Sequence, residues 1–133
     1  ADRLVLPEDA SRFEYTTIHF GAALGLAAAI EELVEIGMEE VWRHDLELVD
    51  SLVRGISGME VAISSPMSED ERSAIVSLSL PSGTSSVDVA DRLQSEYSIL
   101  VTSRSGLLRV SPHIDNSLED IESLVSALGE ILS

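Results

Sequence analysis

Residues 98–121 read SILVTSRSGLLRVSPHIDNSLEDI. Two short apolar runs, Ser98 to Thr102 and Leu107 to Ser111, are joined around Ser105-Gly106. Each has the length of a strand, and a Ser-Gly step is a turn signal. Alternation in the second run sets Leu107 and Arg109 on one face and Leu108 and Val110 on the other. Asn116 or Ser117 then offers a helix cap. Ser117-Leu118-Glu119-Asp120 puts an acid at the third helical position, a capping-box pattern. Ile121, Leu124, Val125, Leu128 and Leu132 form the stripe of that helix.

Upstream, the same strand period continues. Ser73 to Leu80 alternates, with Ile75, Val76, Leu78 and Leu80 between serines. Pro81-Ser82-Gly83 is a turn. Ser85 or Ser86 caps a helix that runs to about Glu96, with Val87, Ala90 and Leu93 inward. Met59 to Ser64 reads as a strand, followed by a polar loop from Pro66 to Arg72. Before Met59 the period is helical. Met38 to Ile56 carries a stripe of Val41, Asp45, Leu48, Leu52 and Ile56, widened by Leu46, Val49 and Val53. Glu39, Glu40, Arg43, Glu47 and Arg54 lie on its outer face, and Gly55 and Gly58 end it. Thr17 to Ile36 is a further helix, with Gly21 and Gly25 on one face and Gly37 as its stop. Residues 1–16 read as a connecting segment, and residues 17–133 as one α+β domain. The expected fold is a two-layer sandwich. A small, largely antiparallel four-stranded sheet is covered by helices on one face, and its other face is open.

Composition narrows the function. The 133 residues hold 24 acids against eight basic residues, for a net charge of −16. All eight are arginine; there is no lysine and no cysteine. The chain therefore supplies no Schiff-base lysine, no thiolate and no disulfide. The scattered arginines argue against nucleic acid as a partner, since that needs a basic patch. No apolar run nears the ~20 residues of a membrane span, and residues 1–9 do not read as a signal peptide. A cytoplasmic location is expected. An acidic domain with arginine in place of lysine fits a salt-loaded cytoplasm, where screening relieves its self-repulsion.

Two segments together resemble the C-terminal domain of class V pyridoxal-phosphate enzymes, the group of small-molecule aminotransferases, cysteine desulfurases and isopenicillin-N epimerase-like proteins. The first is Arg12-Phe13-Glu14-Tyr15-Thr16-Thr17 with Gly25-Leu26-Ala27-Ala28-Ala29-Ile30 and Ile36-Gly37. The second is Gly106-Leu107-Leu108-Arg109-Val110-Ser111-Pro112-His113 with Asn116-Ser117 and Glu119-Asp120-Ile121. The likeness runs from about Arg12 to the C-terminus. It implies that the cofactor lysine belongs to a large upstream domain of the same polypeptide. It also implies a homodimeric parent acting on an amino-acid substrate. Pyridoxal phosphate is the implied cofactor of that parent and is not expected to bind this chain alone.

The resemblance assigns Arg109 to the substrate α-carboxylate, a role suited to a permanently charged, two-pronged guanidinium. The other reading is an arginine on a solvated sheet face, paired with a surface acid. Arg104, before Ser105-Gly106, stands where related enzymes carry an arginine near the substrate; it reads equally as a loop arginine. Thr17 matches a threonine that reaches the cofactor phosphate of the neighbouring subunit, or it is a plain helix cap. Thr16 stands where the family has glycine, and Asp115 where it often has tyrosine. His113-x-Asp115 is too few ligands for a metal, so no metal site is expected; His113 reads as a residue that positions its loop. Cysteine desulfurases carry a cysteine-bearing loop between the two arginines. Here they are five residues apart with no cysteine, which favours aminotransferase or epimerase-like chemistry. A stand-alone, non-catalytic ligand-binding module is the reading from a different class.

Overall fold

In the computed structural model, which describes residues 8–13 and 19–133, the chain divides into two units between Ile36 and Gly37. The first contains a 3-10 turn, Ala10–Phe13, inside what the sequence read as a plain connector. Asp9 accepts from the Ser11 amide at 3.0 Å, and the Ser11 hydroxyl and amide together hold its carboxyl below the ordinary value. Helix α1, Phe20–Ile36, follows. His19 Nδ1 accepts the Ala22 N–H at 3.1 Å, so a ring nitrogen stands where a capping hydroxyl would. No residue of α1 is buried.

The second unit begins at Gly37, whose φ of 94° favours glycine. Its elements are α2 (Met38–Ile56), β1 (Ala62–Ile63), β2 (Val76–Ser79), α3 (Ser86–Tyr97), β3 (Thr102–Arg104), β4 (Leu107–Val110) and α4 (Leu118–Ile131). The strands form one antiparallel sheet in the order β1-β2-β4-β3. The α+β sandwich expected from the sequence is the observed fold. Val76 and Leu78 of β2 meet Val110 and Leu108 of β4 in register. All four are buried against Leu48, Leu52, Leu93, Leu124 and Leu128 of the helices. Burying each such side chain contributes about 1.5–3 kcal/mol.

The bounds of α2, α3, α4 and β4 follow the sequence signals closely; the other three strands begin later than expected. The expected strand from Ser98 to Thr102 is displaced to Thr102–Arg104. Ser98 closes α3 in the left-handed region, φ 59°, and Ile99 donates to the Leu93 carbonyl at 2.9 Å. That cap uses residues 98–101 to leave the helix, so pairing starts at Thr102. Likewise Met59 donates to the Ile56 carbonyl, which delays β1 to Ala62. Ser73 Oγ accepts the Ile75 N–H, bending the chain before β2. In α3 the inward face is Ser86, Val89, Ala90 and Leu93, and Val87 is exposed, contrary to expectation. The cause is Ser86, whose hydroxyl turns inward to Ser103 Oγ at 2.7 Å. Gly55 does not end α2. It lies within the helix, and a Cβ there would stand 2.6 Å from a Val125 methyl, so glycine permits the close packing of α2 on α4.

Candidate functional site

The site is built on β4, which lies between β2 and β3. The alternation that buries Leu108 and Val110 turns Leu107 and Arg109 to the opposite face. Arg109 is flanked directly by Ser77 on one side and Thr102 on the other. The turn between β3 and β4 is two residues long. Ser105 (φ 53°) and Gly106 (φ 79°) both have positive φ, a type I′ hairpin. A turn of that length fixes the register, pairing Arg104 with Leu107. Arg104 is therefore on the Arg109 face, diagonal to it, at roughly 7–8 Å between such positions.

The sequence left Arg109 open between a carboxylate-binding role and a surface ion pair. Among the described residues, no carboxylate lies within salt-bridge distance of Arg109 or Arg104. Arg43, Arg72 and Arg92, by contrast, are each bridged to an acid. The Nε of Arg109 is buried and has no hydrogen-bond partner. A buried guanidinium N–H without an acceptor is costly and is ordinarily satisfied. Arg104 is exposed. Thr17 lies outside the described residues.

The loop after β4 is tied to α2. His113 Nδ1 lies 2.9 Å from Asp45 Oδ2, and the carboxylate accepts. The His113 amide donates to Asn116 Oδ1 at 3.1 Å, and Asn116 returns its own amide to the His113 carbonyl at 2.8 Å. His44 Nε2 donates to the Asn116 carbonyl at 2.9 Å, which fixes its tautomer because a carbonyl only accepts. The loop then enters α4 through the expected capping box: Ser117 Oγ accepts the Asp120 N–H, and Asp120 accepts the Ser117 N–H at 2.8 Å. That amide, with the Ser117 hydroxyl, holds the Asp120 carboxyl below its ordinary value. Asp45 is only 5% exposed. The sequence placed it in an apolar stripe without giving it a task; an acid in such a stripe was the available signal. Its Oδ1 has no partner.

A groove lined by Tyr97, Ile99, Val101, Pro112 and Leu124 runs along one edge of the unit and includes neither arginine. Among the described residues, no group of three or more His, Cys, Asp or Glu is arranged to hold a metal ion. No helix among them is long and apolar enough to cross a membrane.

The aminotransferase class-V family profile matches residues 2–124. The chain belongs to this family. A probable cysteine desulfurase of Pyrococcus abyssi is 31% identical over 140 residues, covering 96% of this chain and 34% of that protein. The apo structure of a cysteine desulfurase from Thermococcus onnurineus NA1 superposes with a TM-score of 0.82 at 31% identity, over 96% of this chain and 35% of that one. An alanine–glyoxylate aminotransferase from Nostoc sp. shares the fold, with a TM-score of 0.70 at 20% identity, over 94% of this chain and 34% of that one. This class-V chain thus spans about a third of the length of the relatives it matches. Class-V aminotransferases and cysteine desulfurases depend on pyridoxal phosphate. With no lysine among its 133 residues, this chain by itself does not fit that cofactor as a covalently held group.

Proposed function

We propose that this chain is the C-terminal domain of a class V pyridoxal-phosphate enzyme and supplies the wall that binds the substrate carboxylate. The buried, unpartnered Nε of Arg109 carries the reading. A two-pronged guanidinium with no protein acid to satisfy it is prepared for a carboxylate brought by a ligand. Arg104, diagonal to it on the neighbouring strand, adds a second cation to the substrate-binding wall, and Thr17 contributes to the cofactor phosphate. The upstream large domain of the same polypeptide brings the lysine, and the parent is a cytoplasmic homodimer acting on an amino acid.

The names of the relatives favour a second reading, a desulfurase-like lyase. The two-residue turn at Ser105-Gly106 leaves no place for a cysteine-bearing loop, and the chain has no cysteine. An aminotransferase or epimerase-like reaction suits these residues better. Sulfide release from cysteine by the full-length protein, at a rate matching its best amino donor, would reverse that preference.

The central test is Arg109→Lys in the full-length enzyme. Lysine keeps the charge and loses the planar fork. Catalytic efficiency toward the carboxylate substrate is expected to fall by an amount equivalent to about 2–5 kcal/mol, with cofactor retention unchanged. An efficiency within about twofold of the wild type would remove the carboxylate role. The acidic, lysine-free surface also fits a salt-adapted origin. The melting temperature is then expected to rise as salt goes from about 0.1 M toward 1 M and the screening length shrinks from about 10 to about 3 Å. A flat response counts against it.

A further inference from the structure

The seven strand positions on the open face are Ala62, Ser77, Ser79, Thr102, Arg104, Leu107 and Arg109. None is acidic, in a chain with 24 acids, and two are arginine. These strand positions therefore carry two positive charges on a protein of net charge −16. Hydroxyls of Ser77 and Thr102 flank Arg109, so the uncharged positions add hydrogen-bond donors and no countercharge. The type I′ turn keeps Arg104 in register, diagonal to Arg109. A single carboxylate at Arg109 leaves the Arg104 charge without a partner among the described residues.

We propose that the substrate is dianionic: its α-carboxylate takes Arg109, and a second anionic group, carboxylate or phosphate, takes Arg104. This rests on the carboxylate-binding role of Arg109 given above and adds a substrate class to it. Charge balance is the argument. Two guanidiniums on adjacent strands with no protein acid between them offer matched partners to two negative charges. The spacing suits a short linker between those charges, as in a dicarboxylic amino acid or a phosphorylated one.

The net charge of the chain makes the test one of sign. A protein at −16 repels a dianion more than a monoanion, so without this site propionate binds better than succinate. With it, the order reverses. The unit Gly37–Ser133 has its own buried core, so the 133-residue chain is suitable material. Amide chemical shifts are followed during titration with propionate, succinate, glutarate and 3-phosphopropionate at low ionic strength. Shifts are expected on β3 and β4 around Arg109 and Arg104, with one of the dianions about threefold or more tighter than propionate, the scale of an exposed ion pair. Which dianion wins separates a second carboxylate from a phosphate. Arg104→Gln is expected to abolish the dianion preference or turn it in favour of propionate. Arg109→Gln should remove the response to both, and the control Arg54→Gln should leave the order intact. Dispersed amide spectra verify that each variant is folded. A dianion preference that is absent, or that survives Arg104→Gln, overturns the proposal while leaving the Arg109 role standing. If no ligand, propionate included, shifts the amides around Arg109, both readings fall.

Discussion

On the helix side of the sheet, Val76, Leu78, Leu108 and Val110 are 0–4% exposed and share one core. On the other side are Ser77 and Arg109, one residue away along the same strands, with Thr102 and Arg104 beside them on β3. The first set is chosen for volume and apolarity, and any residue that fills the space would serve the fold. The second set contributes little to folding; its side chains are small, hydroxylated or unpaired cations. The unpaired buried guanidinium N–H of Arg109 is a stability cost, which is compatible with the proposed task for a ligand. The division teaches where to look in a small sandwich of this kind. The strand period separates residues that hold the molecule together from residues that present chemistry.

That division predicts a gradient of effects. Leu108→Ala removes a fully buried side chain at the centre of the inner face and is expected to cost about 2–5 kcal/mol in chemical denaturation. A loss below ~1 kcal/mol would mean the inner face is not the organising core. Gly106→Ala forces a Cβ into the left-handed region at φ 79° and is expected to cost about 1–2 kcal/mol. It should also loosen the register that places Arg104 beside Arg109, visible as exchange broadening in β3. Ser117→Ala removes the cap of α4, one of the helices covering the inner face, at about 1 kcal/mol.

A pH experiment tests the other half of that capping box. The Asp120 carboxyl is held below its ordinary 3.8 chiefly by the Ser117 amide. A depressed value means the carboxylate stabilises the fold above pH 3.8 and loses that effect as the pH falls through its folded-state value. Asp120→Ala should therefore be less stable than the wild type at neutral pH, and the gap should close in acid. A gap that widens on acidification would show the sign to be wrong. The smallest change is expected on the open face. Arg109→Gln should leave stability unchanged or somewhat raised, because it removes a buried N–H that has no acceptor, while abolishing ligand response. A large destabilisation there would erase the distinction between the two faces.

How far the sequence could be read depends on the range of the interaction involved. The bounds of α2 follow from a periodic stripe and a glycine at each end, all local signals. The capping box of α4 is likewise a four-residue pattern and is present as expected. The start of β3 was misplaced because a serine, not a glycine, adopts the left-handed cap at Ser98. The inner face of α3 was shifted because a serine hydroxyl, not a valine, turns inward to reach Ser103. Asp45 was visible as an acid in an apolar stripe, but its partner His113 is 68 residues away and no local pattern announces it. Arg109 and Arg104 were legible as candidates. Their shared face needed the register of the hairpin, and the lack of a nearby acid needed the folded chain.

The short edge strands have a consequence for the molecule in a crowded solution. β1 has two residues and β3 has three, so neither border of the sheet offers a long row of free amides and carbonyls. β3 is closed on one side by the hairpin at Ser105-Gly106 and on the other by the bent chain leaving Ser98. A second molecule seeking to extend the sheet finds a template too brief to hold it. Ser98, which hid the start of β3 from sequence reading, thus also helps to protect against edge-to-edge aggregation.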